Sequence, residues 1–250
     1  MEGVSGRVAV VTGAAQGNGR AIARGLALQG AHVAACDIDG DGAARTATAI
    51  TSAGGSAAAF DLDVTDARAC AQVAAQVEAR LGATAILVNN AGIIRRTPLA
   101  ADSFESDWDA VLAVNATGVM HCTRAFAEHL RRERGAVVNL ASILAFSAGP
   151  NLAAYAASKG AVAQLTRALA HDFAGDGVRV NAIAPGVIET PMTEATRANP
   201  EAIGRFMAHT PMGRTGTPEE LVGPVLFLAS QMASYVTGAV LPVDGGYLAA

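Results

Sequence analysis

A chain of 250 residues can bury a full-sized core, and one α/β domain of that length is common, so residues 1–250 are expected to form a single domain. Hydrophobic residues reach 51% but aromatics only 4%; with no apolar run near the ~18 residues of a membrane span and no leader pattern at the start, a cytoplasmic protein without a membrane partner is expected. A net charge of −4 without a basic block argues against nucleic acid, three scattered cysteines (Cys36, Cys70, Cys122) against a disulfide framework or zinc site, and five histidines without HxH or HxxxH spacing against a metal.

In chain order, short β-branched or apolar runs at 8–11, 32–36, 57–60, 85–88, 136–140, 179–183 and 240–242 predict strands, and Ala/Leu/Arg-rich stretches separate most of them. Alternation of this kind predicts βαβ units with right-handed crossovers: a doubly wound parallel sheet of about seven strands with helices on both faces. Gly30, Gly82, Gly135 and Gly177 each fall between a helical stretch and the next strand, where a left-handed terminating residue is expected. All nine prolines lie from Pro98 onward. The Thr-, Met- and Pro-rich stretch 187–215 is accordingly expected to be a functional loop over the sheet.

The first predicted strand runs into Thr12-Gly13-Ala14-Ala15-Gln16-Gly17-Asn18-Gly19-Arg20, and a helical pattern follows. A strand, a glycine loop and a helix N-terminus together suit a pyrophosphate, because free backbone N–H groups and the helix dipole both favour negative charge. The spacing here is GxxxGxG rather than GxGxxG, and no Lys-Ser/Thr pair follows to make a P-loop. Asp37 ends the second strand eighteen residues after Gly19, close to the ~20-residue offset of an acid that binds an adenosine ribose diol. Loop and acid together point to a dinucleotide. A carboxylate would repel a 2′-phosphate, and neither Gln16 nor Ile38 supplies a compensating cation, so NAD is expected rather than NADP.

Tyr155 and Lys159 stand at i,i+4 and would share one helix face, although a surface Tyr packed on a Lys stem is far commoner than a catalytic pair. Ser142 follows the strand 136–140, and Asn89-Asn90-Ala91-Gly92 follows the strand 85–88. Both therefore lie at the carboxyl edge, where doubly wound sheets place their ligands. With these motifs assembled the sequence resembles the short-chain dehydrogenase/reductase family over essentially its whole length. The residues that carry the resemblance are the glycine loop, Asp37, Asp63-Val64, Asn89 to Gly92, Asn115, Ser142, Tyr155 with Lys159, Asn181, Pro185-Gly186, Thr190 and Asp244-Gly245-Gly246.

The resemblance implies a Rossmann-type fold and NAD-dependent hydride transfer between nicotinamide and a secondary alcohol or ketone. Gly13, Gln16, Gly17, Asn18 and Gly19 would bind the dinucleotide with Asp37, Ile38, Asp63 and Val64. Asn90, Ala91 and Gly92 would support it, and Pro185, Gly186, Val187, Ile188 and Thr190 would meet the nicotinamide. Tyr155 would move the proton, Lys159 would lower its pKa and hold the ribose, Ser142 would bind the substrate oxygen, and Asn115 would position a water. Family members usually carry Ile or Leu where Asn18 stands. A buried amide there needs a hydrogen-bond partner, whether a cofactor phosphate, a backbone group or a water.

Arg95 and Arg96, directly after that glycine-containing turn, suit a carboxylate. Together with Asp107-Trp108-Asp109 and the stretch 191–197 they resemble the subgroup that oxidises sugar acids, which implies a sugar acid or related polyol as substrate. Two alternatives are a 3-oxoacyl-carrier-protein reductase, which usually uses NADPH, and a non-catalytic NAD-binding regulatory or scaffold protein. The amphipathic segments 107–130 and 153–173 and the C-terminal stretch would, in this family, make subunit contacts, commonly in a homotetramer.

Overall fold

The computed structural model describes residues 1–250. Its strands are β1 (Val8–Thr12), β2 (His32–Asp37), β3 (Ser56–Asp61), β4 (Thr84–Asn89), β5 (Ala136–Leu140), β6 (Arg179–Pro185) and β7 (Val240–Val243). All pair in parallel, in the order β3-β2-β1-β4-β5-β6-β7. The chain builds outward from β1 to β3, then returns to β4 and builds the other way. That reversal separates the carboxyl ends of β1 and β4 and opens the crevice in which such sheets bind ligands.

The helices are α1 (Gly17–Leu28), α2 (Gly40–Ser52), α3 (Ala67–Leu81), α4 (Phe104–Leu112), α5 (Gly118–Ala125), α6 (Ala127–Glu133), α7 (Ala153–Ala174), α8 (Glu194–Arg197), α9 (Pro200–Met207) and α10 (Val222–Ala229). They cover both faces, so the central strands are apolar on each side and read as continuous hydrophobic runs. β1 shows the division: Ala9 and Val11 face a core shared with α1 and α10, while Val8 and Val10 face one shared with α3, α5 and α6. No helix is long and apolar enough to cross a membrane.

All seven expected runs are strands, each within two residues of its expected ends. Gly30 and Gly177 take the expected positive φ, at 86° and 73°. Gly135 does not; Arg134 adopts the left-handed conformation instead (φ 45°, ψ 52°). Gly135 is needed for space, because a Cβ there would strike the Ala85 carbonyl oxygen. The expected amphipathic segment 107–130 is broken: a π-turn at Ala113–Thr117 widens the helix between α4 and α5, and α6 follows. The stretch 187–215 is more ordered than a bare loop. Paired backbone bonds close its base, Glu189 N to Gly216 O (2.9 Å) and Gly216 N to Val187 O (3.0 Å), and Asn199 caps α9 ahead of Pro200.

A buried amide relay ties the central strands to the helices behind the crevice. Asn89 Nδ2 on β4 donates to Thr123 Oγ1 on α5 (3.1 Å) and to Asn139 Oδ1 on β5 (2.9 Å). Asn139 Nδ2 in turn donates to Thr166 Oγ1 on α7 (3.0 Å). Asn89 Oδ1 is left without a partner, so the relay depends on the bonds that Asn139 makes at its centre. Asn139→Ala removes the middle of the relay and should cost about 2–4 kcal/mol, read as a lower midpoint in urea unfolding at unchanged m-value.

Candidate active site

The crevice is a cleft of ≈ 390 Å³ at the carboxyl ends of β1, β2, β4, β5 and β6. Its floor is an interlock between the loops that follow β1 and β4. Thr12 Oγ1 accepts from Asn90 N and Ala91 N, each at 3.0 Å, and Asn90 Nδ2 donates to the carbonyls of Thr12 (2.8 Å) and Gly13 (3.0 Å). Glycine is obligatory here for two reasons. Gly13 and Gly17 take φ of 66° and 52°, and a Cβ on Gly19 would strike the Gly13 carbonyl oxygen. The result is a backbone cradle at the N-terminus of α1 with no side chain in the way, as a diphosphate requires.

At the far end of the cradle Asp37 accepts from Ala15 N (2.8 Å) and Asp39 N (3.0 Å), which fixes its carboxylate beside the glycine turn. Ile38 next to it is 70% exposed and forms the outer wall. Asp63 and Val64 close that end. Asp63 Oδ1 is held by Thr65 N and Thr65 Oγ1, and the Val64 carbonyl lies 3.2 Å from His121 Nδ1. Gln16, Asn18, Ala91 and Gly92 line the middle of the cleft. Asn18 Oδ1 is buried and lacks a hydrogen-bond partner within the protein. These residues, an open cradle with a ribose-height carboxylate and an unpartnered amide, fit a nicotinamide dinucleotide.

Ser142, Tyr155 and Lys159 meet at the other end. Lys159, in the second turn of α7, is buried and donates from Nζ to the Leu140 carbonyl at the end of β5 (2.7 Å). Burial pulls its ammonium down to about 8. Its Nζ lies 5.7 Å from the centre of the Tyr155 ring, one turn earlier. Ser142 Oγ accepts from Leu144 N (3.1 Å) and so caps the short turn Ile143–Ala145. Burial raises the Tyr155 phenol above its usual value; the Ser142 hydroxyl, and after it the Arg96 charge, act in the opposite direction. Arg96 is thus a cation that the sequence did not assign to Tyr155, beside Lys159 on the same helix as the phenol.

Pro185, Gly186, Ile188 and Thr190 reach the cleft as expected, and Pro191, Met192 and Thr193 join them. Val187 instead lines a second cavity of ≈ 200 Å³, which Gly186 and Ile188 also border. Asn115 sits in the π-turn behind the cleft with its amide committed. Oδ1 accepts from Ile93 N (2.8 Å), and Nδ2 donates to Ile93 O (2.9 Å) and Ser158 Oγ (3.0 Å). Its side chain braces the loop after β4. The two arginines part company: Arg95 pairs with Asp107 on α4 (3.6 Å), while Arg96 hydrogen-bonds Thr196 on α8, across the mouth of the cleft. Nothing in the sequence singled out Thr196 or Ser158, because their partners, Arg96 and Asn115, are distant in the chain.

A family model described as enoyl-(acyl carrier protein) reductase matches residues 13–248. The chain is 46% identical to a galactitol 2-dehydrogenase (L-tagatose-forming) of Cereibacter sphaeroides over 98% of its own length and 96% of that protein. It is 40% identical to a 2-dehydro-3-deoxy-D-gluconate 5-dehydrogenase of Pseudoalteromonas atlantica, covering 98% and 97%. Among solved structures, a gluconate 5-dehydrogenase from Burkholderia cenocepacia in complex with NADP and tartrate superposes with a TM-score of 0.94 at 38% identity, covering 98% and 96% of the two chains. The chain belongs to the short-chain dehydrogenase/reductase family and is an alcohol/ketone oxidoreductase that works with a nicotinamide dinucleotide.

Proposed function

We propose that this oxidoreductase interconverts a secondary alcohol and ketone of a sugar acid or related polyol, with NAD preferred over NADP. The observation that carries the reading is the convergence of Ser142, Tyr155 and the Leu140-anchored Lys159 at one end of a glycine-floored cleft. A bound nicotinamide supplies the hydride acceptor or donor. Tyr155 takes the proton from, or returns it to, the reacting oxygen, and Ser142 hydrogen-bonds that oxygen. Lys159, charged below about 8, holds the nicotinamide ribose and favours the phenolate electrostatically. Asn115 is a positioning residue: its amide holds Ile93, which lines the cleft.

The preference for NAD rests on Asp37. Its carboxylate faces the ribose end, and the arginine nearest in sequence, Arg45, pairs with Asp39 (3.3 Å). A 2′-phosphate would meet a like charge. The acid substrate rests on Arg96, which stands at the mouth with its guanidinium on Thr196, whereas Arg95 is engaged by Asp107. We also read the chain as self-associating, as a homotetramer: β7 is an edge strand with an open outer side, and Met232 and Tyr235 just before it are exposed.

Three measurements check this reading. Tyr155→Phe should lower kcat by at least about 100-fold while NAD affinity, read by fluorescence titration, stays within about three-fold; more than a few per cent residual turnover would remove Tyr155 from the proton-transfer role. Asp37→Ser should shift the ratio of kcat/KM for NAD over NADP toward NADP by about 100-fold, because it removes a close like-charge contact. Arg96→Ala should raise KM for an acid substrate by about ten-fold or more and leave KM for a matched neutral polyol nearly unchanged, any effect through Tyr155 falling on kcat for both, and Arg95→Ala should do much less. Equal effects of Arg96→Ala on both substrates would sink the carboxylate role.

A further inference from the structure

Two of the three cysteines meet behind the end of the cleft that Asp63 and Val64 close. Cys70, the fourth residue of α3, and Cys122 on α5 are 52 residues apart in sequence, and their Sγ atoms lie 3.8 Å apart. Cys36 occupies the same apolar layer with its Sγ turned to the Ala34 carbonyl (3.8 Å). Cys70 Sγ donates to the Val64 carbonyl (3.7 Å), which leaves the Cys122 thiol as donor in the contact between the two sulfurs. That contact lowers the Cys70 thiol and raises that of Cys122, so Cys70 is the more readily ionised of the two.

Val64 stands between this pair and the cleft, and both helices hold it. Its carbonyl meets Cys70 from α3 and His121 from α5, and a Cβ on Gly118, the first residue of α5, would lie 2.7 Å from its Cγ2. The turn from the cleft into α3 is a chain of short bonds. Asp63 Oδ1 holds Thr65, Asp63 O accepts from Asp66 N (3.2 Å), and Asp66 O accepts from Cys70 N (3.0 Å). A displacement of Cys70 is therefore carried to Asp63 and Val64, which both line the cleft. Both sulfurs are buried, whereas Asp66, Ala67 and Arg68 just before Cys70 are exposed, and a helix end opens more readily than its middle. An oxidant reaches the pair through that turn.

We propose that Cys70 and Cys122 form a reversible disulfide under peroxide, and that this bond weakens coenzyme binding. The Cys70 thiolate attacks a peroxide oxygen, the O–O bond breaks, and Cys70 becomes a sulfenic acid. The Cys122 sulfur then bonds to Cys70 and the hydroxyl leaves as water with the Cys122 proton; two electrons pass from the sulfurs to one peroxide, which ends as two waters. With its hydrogen gone, Cys70 no longer bonds the Val64 carbonyl, and an S–S bond of about 2 Å draws α3 and α5 together behind the cleft wall. The reduced enzyme is treated with hydrogen peroxide, quenched, and read by intact mass, peptide mapping and fluorescence titration with NADH and NADPH. The expected result is a mass lower by about 2 Da, a Cys70–Cys122 linked peptide, and a Kd raised at least about ten-fold for whichever coenzyme bound the reduced enzyme more tightly, all reversed by dithiothreitol. By reciprocity, saturating coenzyme should raise the reduction potential of the pair by about 30 mV in glutathione buffers. Cys70→Ala should bind coenzyme equally before and after peroxide, and Cys36→Ala should respond like wild type. Failure to form the disulfide, a bond through Cys36 or between chains, an equal loss of affinity in Cys70→Ala, or a cross-linked enzyme that binds coenzyme as tightly as the reduced one overturns the proposal.

Discussion

Everything at this site depends on holding one ammonium group out of water. A buried lysine is costly unless its donors are used, and Lys159 has the Leu140 carbonyl, 2.7 Å away, at the last residue of β5. The bond can form because β5 ends there while α7 runs back across the sheet face, with Ser158 and Thr166 buried on the same side. Its consequences are local and strict. Tyr155 is placed one turn ahead on the same helix, and Ser142 follows two residues after the carbonyl that anchors the lysine. An ammonium has three donors, Leu140 takes one, and the cleft that Lys159 lines receives the others.

The dinucleotide half of the cleft is built on a different constraint, the close approach of two backbones. Asn90 inserts its amide between the carbonyls of Thr12 and Gly13, and Thr12 returns two bonds to the loop after β4. A side chain on Gly13 would lie 2.7 Å from that amide nitrogen. The glycines therefore let the β1 and β4 loops interlock as well as leaving room for a phosphate. The Asn89–Asn139 relay just beneath extends the connection to β5 and α7, so buried hydrogen bonds join the strands under the cradle to the helix that carries Tyr155 and Lys159.

Much of this was legible in the sequence because it is local. A strand is a short apolar run, the cradle is a glycine pattern, and Tyr155 with Lys159 is a helical interval; all seven strands and nearly every expected cleft residue fall where those patterns put them. What escaped depends on distant partners. Gly135 has the look of a helix terminator, but its role is set by the Ala85 carbonyl on a neighbouring strand. The partners of the Asn115 amide, Ile93 and Ser158, lie 22 and 43 residues away, and no local pattern announces them. Asn18 departs from the family pattern, and its buried, unpartnered Oδ1 keeps that departure at the floor of the cleft.

Arg95 and Arg96 show how far one register step can carry function. The same side chain occurs twice in succession in the loop after β4, and the two turn to different partners. Arg95 falls toward α4 and is neutralised by Asp107. Arg96 falls toward the mouth, where it meets Thr196 of the 187–215 segment and its charge reaches Tyr155. One guanidinium thus links the overlying segment to the acidity of the phenol. A change at Arg96 cannot be read through substrate affinity alone. Its neighbour, with identical chemistry, is a strut between a loop and a helix.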